Sequence, residues 1–168
     1  EDNLEFKDLY GHVEEGNWIK VESFIKNRRE ALFRAGSSRR TVLHFATLAG
    51  HENIVEGLVR MGGDKLVKMQ DNQGYTALAL AARYTGNTDV AKCMVEKKDC
   101  AGVREDLLAI KNESGDIPLL LAAAKGHNKM TGYLYDKTLP TLPDVLEGQD
   151  SGKRLVFLLE LCIKEQIY

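Results

Sequence analysis

Thr41-Val42-Leu43-His44-Phe45-Ala46, followed by Gly50-His51 and then Ile54-Val55, is the stretch from which the rest of the chain can be read. A threonine ahead of an apolar run, a leucine and an alanine at helical spacing, and a glycine beyond them describe one short helix and its stop. The phrase recurs. Thr76-Ala77-Leu78-Ala79-Leu80-Ala81 is a second copy and Ile117-Pro118-Leu119-Leu120-Leu121-Ala122 a third, each followed by a glycine-bearing turn and a second apolar segment. Two weaker copies flank these: Lys7 to Val21, with Gly16-Asn17 at the turn, and Gly152 to Ile163, which restarts the phrase without its sequel. Successive copies are offset by 34, 35, 41 and 37 residues. A period of that length marks a stacked array in which no unit can bury its apolar face alone. The chain therefore reads as a single all-α solenoid over 1–168, with repeats near 1–35, 36–70, 71–111 and 112–147 and a partial repeat at 148–168.

Composition narrows the function. Charged residues make up 29% of the 168, with a net charge of −2. That balance gives no electrostatic reason to expect nucleic acid or an anionic membrane as the main partner. No run approaches the roughly 18 apolar residues needed to span a bilayer, so direct membrane insertion is not expected. The chain opens with neither Met nor a charged-then-apolar leader, which reads as a piece of a longer protein. Cys93, Cys100 and Cys162 are spread along the chain without metal-ligand spacing. A reduced, intracellular compartment is the simplest account.

Several motifs invite chemistry and lose it on inspection. His44 has no Asp, Cys or second His at i+3 or i+4, and His51 and His127 merely follow turn glycines in the same repeated place. All three read as scaffold. Asp71-Asn72-Gln73-Gly74 lacks the twelve-residue series ending in Glu that a calcium loop needs, and reads as the tip of a loop running from Lys65 to Gly74. Asn112-Glu113-Ser114 is a glycosylation sequon by pattern, which a reduced compartment would leave unread. Gly148 to Arg154 falls one residue short of a phosphate-binding loop and follows no strand. Cys93 reads as a small hydrophobe within a helix. No nucleophile–base–orienter set, paired acids or metal cluster emerges, and the expectation is no catalytic residue, no cofactor and no metal. Trp18 reads as a staple at the start of a helix, or else as a partner anchor. Arg28-Arg29 and Arg39-Arg40 bracket a solvated loop or a basic tip for an acidic or phosphorylated partner. Gly62-Gly63 is expected to end a helix, Thr41 to cap one, and Pro118 to sit in a first turn. Residues 96–114 form the longest insertion, with Val103, Leu107, Leu108 and Ile110 on one face of an extra turn; insertions in solenoids often map to the working face.

With the copies laid out, the whole chain resembles the ankyrin repeat family, whose T-P-L-H-x-A phrase is nearly reproduced at Thr41–Ala46. Its details are most similar to plant ankyrin proteins that carry a C-terminal PGG-type transmembrane region. The carriers are Ala81-Ala82-Arg83-Tyr84-Thr85-Gly86-Asn87-Thr88-Asp89-Val90-Ala91-Lys92, the loop from Asp136 to Gly148, and Leu158-Leu159-Glu160-Leu161-Cys162-Ile163. The transmembrane half that defines that group is absent from these residues, so its membrane attachment and transport-like activity are not carried over. The resemblance implies that His44 bonds neighbouring backbone and holds one hairpin to the next. It also implies a protein-binding module in plant defence, cell-death or stress signalling, on the cytoplasmic face, with a parent protein in the plasma membrane or an internal membrane.

Stacking leaves one long curved surface made of loop tips and the outer side of the first helices, suited to a protein or peptide partner. Arg40, Leu48, Asn72, Gln73, Tyr75, Arg83, Tyr84, Glu113, Asp116 and Lys125 are the candidate partner-binding residues, with Ser37, Ser38 and Ser114 beside them. Tyr75, Arg83 and Tyr84 are favoured because Tyr and Arg concentrate at binding hot spots. The third repeat is one residue longer between its helices (ten from Thr76 to Gly86, against nine from Thr41 to Gly50), and Tyr84 either packs across that turn or faces a partner. The alternative function is a cytosolic regulatory domain of a channel- or transporter-like membrane protein acting through self-association.

Overall fold

The computed structural model describes residues 6–97, 102–138 and 140. Leu4, the Asp99-Cys100 pair, the connector at 141–147 and the partial repeat with Cys162 lie outside the described residues. Among the described residues four helix pairs build the array: α1 (Lys7–Glu14) with α2 (Trp18–Asn27), and α3 (Val42–Ala49) with α4 (Glu52–Val67). Next come α5 (Ala77–Leu80), continued by a π-helical turn Ala81–Thr85, with α6 (Thr88–Val95). After the insertion, β1 (Glu96–Lys97), β2 (Gly102–Val103) and α7 (Glu105–Leu108), stand α8 (Pro118–Ala124) and α9 (Asn128–Thr138). The first helices of successive pairs pack on one another, and so do the second helices, giving two layers. The core runs between them through Leu9, Val21, Ile25, Leu43, Ile54, Leu58, Leu78, Met94, Met130 and Leu134, all at most 1% exposed. Each buried aliphatic side chain is worth about 1.5–3 kcal/mol against exposure, so the unit is stable only because its neighbours supply the other wall.

The helix ends follow the expected chemistry. Thr76 Oγ1 accepts from the Ala79 amide at 3.2 Å, Asn87 Oδ1 from Asp89 and Val90 at 3.1 Å, and Pro118 occupies the first turn of α8. At Thr41 the partner is His44, in a reciprocal capping box. The Thr41 amide can only donate, and it lies 3.1 Å from His44 Nδ1, so Nδ1 accepts and Nε2–H donates to the Tyr75 carbonyl at 3.0 Å. One imidazole thus caps its own helix and ties it to the next repeat, as the resemblance implied. His51 does similar work, its Nε2 lying 3.0 Å from the Glu14 carbonyl. The His127 ring sits where any side chain on Gly86 would stand, 2.6 Å from an ideal Cβ.

Three differences from the sequence reading have physical causes. Gly62-Gly63 does interrupt the second helix, but Gly63 (φ 57°, ψ −153°) is a kink after which the chain winds on to Val67. The loop expected from Lys65 therefore begins later, because Leu66 and Val67 are fully buried. Comparable turns bury Ala31 and Leu32 in the 3₁₀ segment Arg29–Leu32 and Leu107 and Leu108 in α7. Trp18 packs across to the next repeat rather than standing clear for a partner. Its indole lies over Gly57 of α4, 2.2 Å from where a Cβ would be, filling the notch between two second helices. The 96–114 insertion is the third difference. Its β1–β2 ribbon pairs Glu96 with Val103 and Lys97 with Gly102, and α7 packs on α6 and α9. β1 and α7 pack on the second-helix layer, while Asn112 and Glu113 belong to the loop tips. Arg104, 8% exposed, fastens the insertion through Asp64 at 2.7 Å and the carbonyls of Met94 at 2.8 Å and Glu96 at 3.3 Å. That guanidinium holds the Asp64 carboxyl below the usual carboxylate range.

Candidate binding surface

The surface is assembled from the loop tips inward. Asp71, 4% exposed, accepts through Oδ1 from the amides of Gln73 and Tyr75, both at 2.9 Å, and Gly74 (φ 77°) closes the turn on the Asp71 carbonyl at 3.0 Å. Asn112 repeats the device one unit on: Oδ1 accepts from Asp116 N–H at 2.8 Å, and Gly115 N–H donates to its carbonyl at 3.0 Å. This buried amide belongs to a turn. The tips are also bonded to each other, Asn72 N–H to the Ser38 carbonyl at 3.0 Å and Glu113 N–H to the Gln73 carbonyl at 3.1 Å. Asn72 adds its side-chain amide on the Ser37 carbonyl at 2.8 Å.

Arg40 belongs to this frame. Its Nε donates to the buried Asp71 Oδ2 at 3.2 Å, which takes it out of any basic tip. Arg28 lies over the Phe24 ring at 5.7 Å. Asn72, Gln73, Glu113 and Lys125 are exposed, while Leu48 and Asp116 are half-buried. Tyr75 corrects the reading: it is 7% exposed and does not offer an aromatic face to a partner. Its amide is taken by Asp71 and its carbonyl by His44, which draws the residue inward.

The favoured trio nevertheless stands together. The extra residue of the third repeat is accommodated as a π-helical turn, in which Gly86 N–H donates to the Ala81 carbonyl at 2.8 Å; Gly50 instead reaches back to Ala46 at 3.1 Å. Such turns arise from single insertions and recur at functional sites. On it, the Arg83 guanidinium carbon lies 5.7 Å from the Tyr75 ring centre and 5.3 Å from that of Tyr84. Tyr84 is 52% exposed, so it does not pack across the turn. Arg83 Nε is buried with no hydrogen-bond partner among the described residues, while Tyr84 foremost, then Tyr75 and Asp116, favour the charged guanidinium.

Phe45 is a contributor the sequence reading passed over. It is 36% exposed, and its ring centre lies 4.7 Å from that of Tyr10 on α1. With buried positions at Val42, Leu43, Ala46 and Thr47, the outward stripe of α3 is Phe45, Leu48 and Ala49. The variable position of the T-x-L-H-x-A phrase points outward, and an aromatic there was the available signal. Among the described residues no three of His, Cys, Asp and Glu are grouped to hold a metal ion. No described helix is long and apolar enough to cross a membrane.

Comparison with known proteins agrees with this architecture. Residues 11–106, more than half of the chain, match the family model for ankyrin repeats in three copies. Protein phosphatase 1 regulatory subunit 27 of Homo sapiens is 30% identical over 107 residues, covering 64% of this chain and 63% of that protein. The Mus musculus counterpart matches at the same identity and coverage. The chain thus spans a little under two thirds of the length of these relatives.

Proposed function

We propose that this chain, which belongs to the ankyrin repeat family, is a non-enzymatic module that binds a partner protein on its first-helix face, at Arg83 and Tyr84 and across to Phe45. Ankyrin repeats imply a protein–protein interaction module. The observation carrying the assignment to this face is the guanidinium–tyrosine cluster on the π-helical turn, with Tyr84 exposed, and the exposed Phe45 on half-buried Tyr10 one repeat away. Tyr, Trp and Arg dominate binding energy where they are rigidly held. The relatives are named as regulatory subunits of a phosphatase, a description that suits binding without turnover. Membership of the PGG-type plant group, with a role in defence signalling at the cytoplasmic face of a membrane, is a finer reading. It rests on the phrase from Ala81 to Lys92, the loop from Asp136 to Gly148 and the phrase from Leu158 to Ile163.

The test places a photo-reactive phenylalanine at position 84, at 45, or at 19, where Ile19 is 79% exposed on a second helix. Cross-linking of the same protein from 84 and 45, with none from 19, is the expected result in an extract of the source cells. Cross-linking from 19 alone would move the interface to the second-helix layer. Capture of nothing but further copies of this chain would replace the partner with self-association.

A further inference from the structure

We propose that Arg83, held between Tyr75 and Tyr84, is a carboxylate subsite, and that the partner presents an Asp or Glu side chain to it beside an apolar residue seated on the Tyr10–Phe45 pair. The proposal rests on the first-helix face being the binding surface and adds the chemistry of what binds there. The guanidinium lies 5.7 and 5.3 Å from the two ring centres and interacts foremost with Tyr84, yet its buried Nε has no hydrogen-bond partner among the described residues. A buried donor left unpaired is costly, and such groups in folded proteins call for an explanation. The two rings differ in a useful way. Tyr75 is 7% exposed and fixes one side, while Tyr84 is 52% exposed and can swing outward to open the Nε–Nη edge. That edge matches a carboxylate bidentately. A phosphate dianion fits less well, because one guanidinium supplies only a single positive charge. The apolar half follows from position: α1 packs on α3 and α3 on the π-helical turn, so the Tyr10–Phe45 platform lies one repeat along from Arg83.

The experiment selects 12-residue peptides from a random displayed library against the folded chain. It then measures affinity and the Arg83 Nε–H resonance with the enriched peptides. Enrichment of an acidic residue together with an aliphatic or aromatic one is expected. So are a shift of that resonance on binding and a ten- to hundred-fold loss in Arg83→Gln. The charge-reversed Arg83→Glu should prefer peptides in which the acid is replaced by Lys. Arg83→Lys, which keeps charge and loses the fork, is the second variant should Arg83→Gln unfold, and a loss of about ten-fold is expected there too. Peptides that cross-link to position 45 but bind Arg83→Gln and Arg83→Lys undiminished would overturn the carboxylate subsite alone. Phosphoserine in place of the acid binding ten-fold tighter would do the same. Enriched peptides that cross-link to neither 45 nor 84 would overturn the surface assignment itself.

Discussion

At the scale of the residue, two positions set the terms. His44 is fully buried and satisfied at both ring nitrogens, and burial holds its pKa below the ordinary histidine value. The unfolded chain therefore takes up the proton more readily than the folded one. The stabilisation is complete above about pH 6.5 and is lost as pH falls toward the folded-state value. Urea unfolding from pH 7.5 to 5 should show stability declining on the acid side, with a flatter profile in His44→Ala. That variant should itself be about 2–4 kcal/mol less stable at pH 7.5, because the Tyr75 carbonyl and the Thr41 amide both lose a buried partner. Gly74 is the second. It sits at φ 77°, and a methyl there would meet the Glu113 amide nitrogen at 2.8 Å, so Gly74→Ala should cost more than about 2 kcal/mol in thermal or urea unfolding. The role of His44 was legible because the lack of any partner at ligand spacing left only a structural use. Tyr75 was not. Its burial depends on Asp71 and His44, thirty-one residues upstream, closing on its backbone, and no local pattern carries that.

At the scale of the element, the informative features are those that break the repeat. The ten-residue spacing from Thr76 to Gly86 was visible in the chain, but its resolution as a π-helical turn that carries Arg83 and Tyr84 depends on packing against α3 and α8. Deleting Tyr84 restores the nine-residue spacing. The expected outcome is a regular helix, stability within about 1 kcal/mol of the parent, and loss of partner cross-linking from position 45 as well as from the turn. The insertion was legible as an extra amphipathic turn at Leu107 and Leu108, but the layer that turn packs on was not. The deciding contact, Arg104 to Asp64, joins residues forty apart, and charge spacing alone does not pair them. In Arg104→Leu, amide exchange should accelerate at Arg104, whose N–H donates to the Val95 carbonyl at 2.8 Å, and through α7. The global loss should be about 1–3 kcal/mol, as buried carbonyls lose a charged donor.

At the scale of the whole molecule, order along the chain becomes order in space, and this was the most legible part of all. A recurring phrase at near-constant offset leaves little choice but a stack. Neighbour coupling predicts that damage spreads according to position. Leu78→Ala, in a pair flanked on both sides, should lower amide protection across α3, α4, α6 and α8. Leu9→Ala, in a pair whose neighbours among the described residues are α3 and α4, should lower protection chiefly in α1 and α2; each loss should be about 2–5 kcal/mol where it is felt. The bonds between hairpin tips have a mechanical meaning as well. Asn72 to Ser38 and Glu113 to Gln73 run from one unit to the next, so tension applied to the two ends opens them as successive links. Because the units differ in length, 35 residues from Thr41 to Thr76 against 41 from Thr76 to Ile117, their rupture should pay out unequal contour, about 120 Å and about 140 Å. Pulled from its termini, the molecule would behave as a spring whose coils can be told apart by the length each one releases.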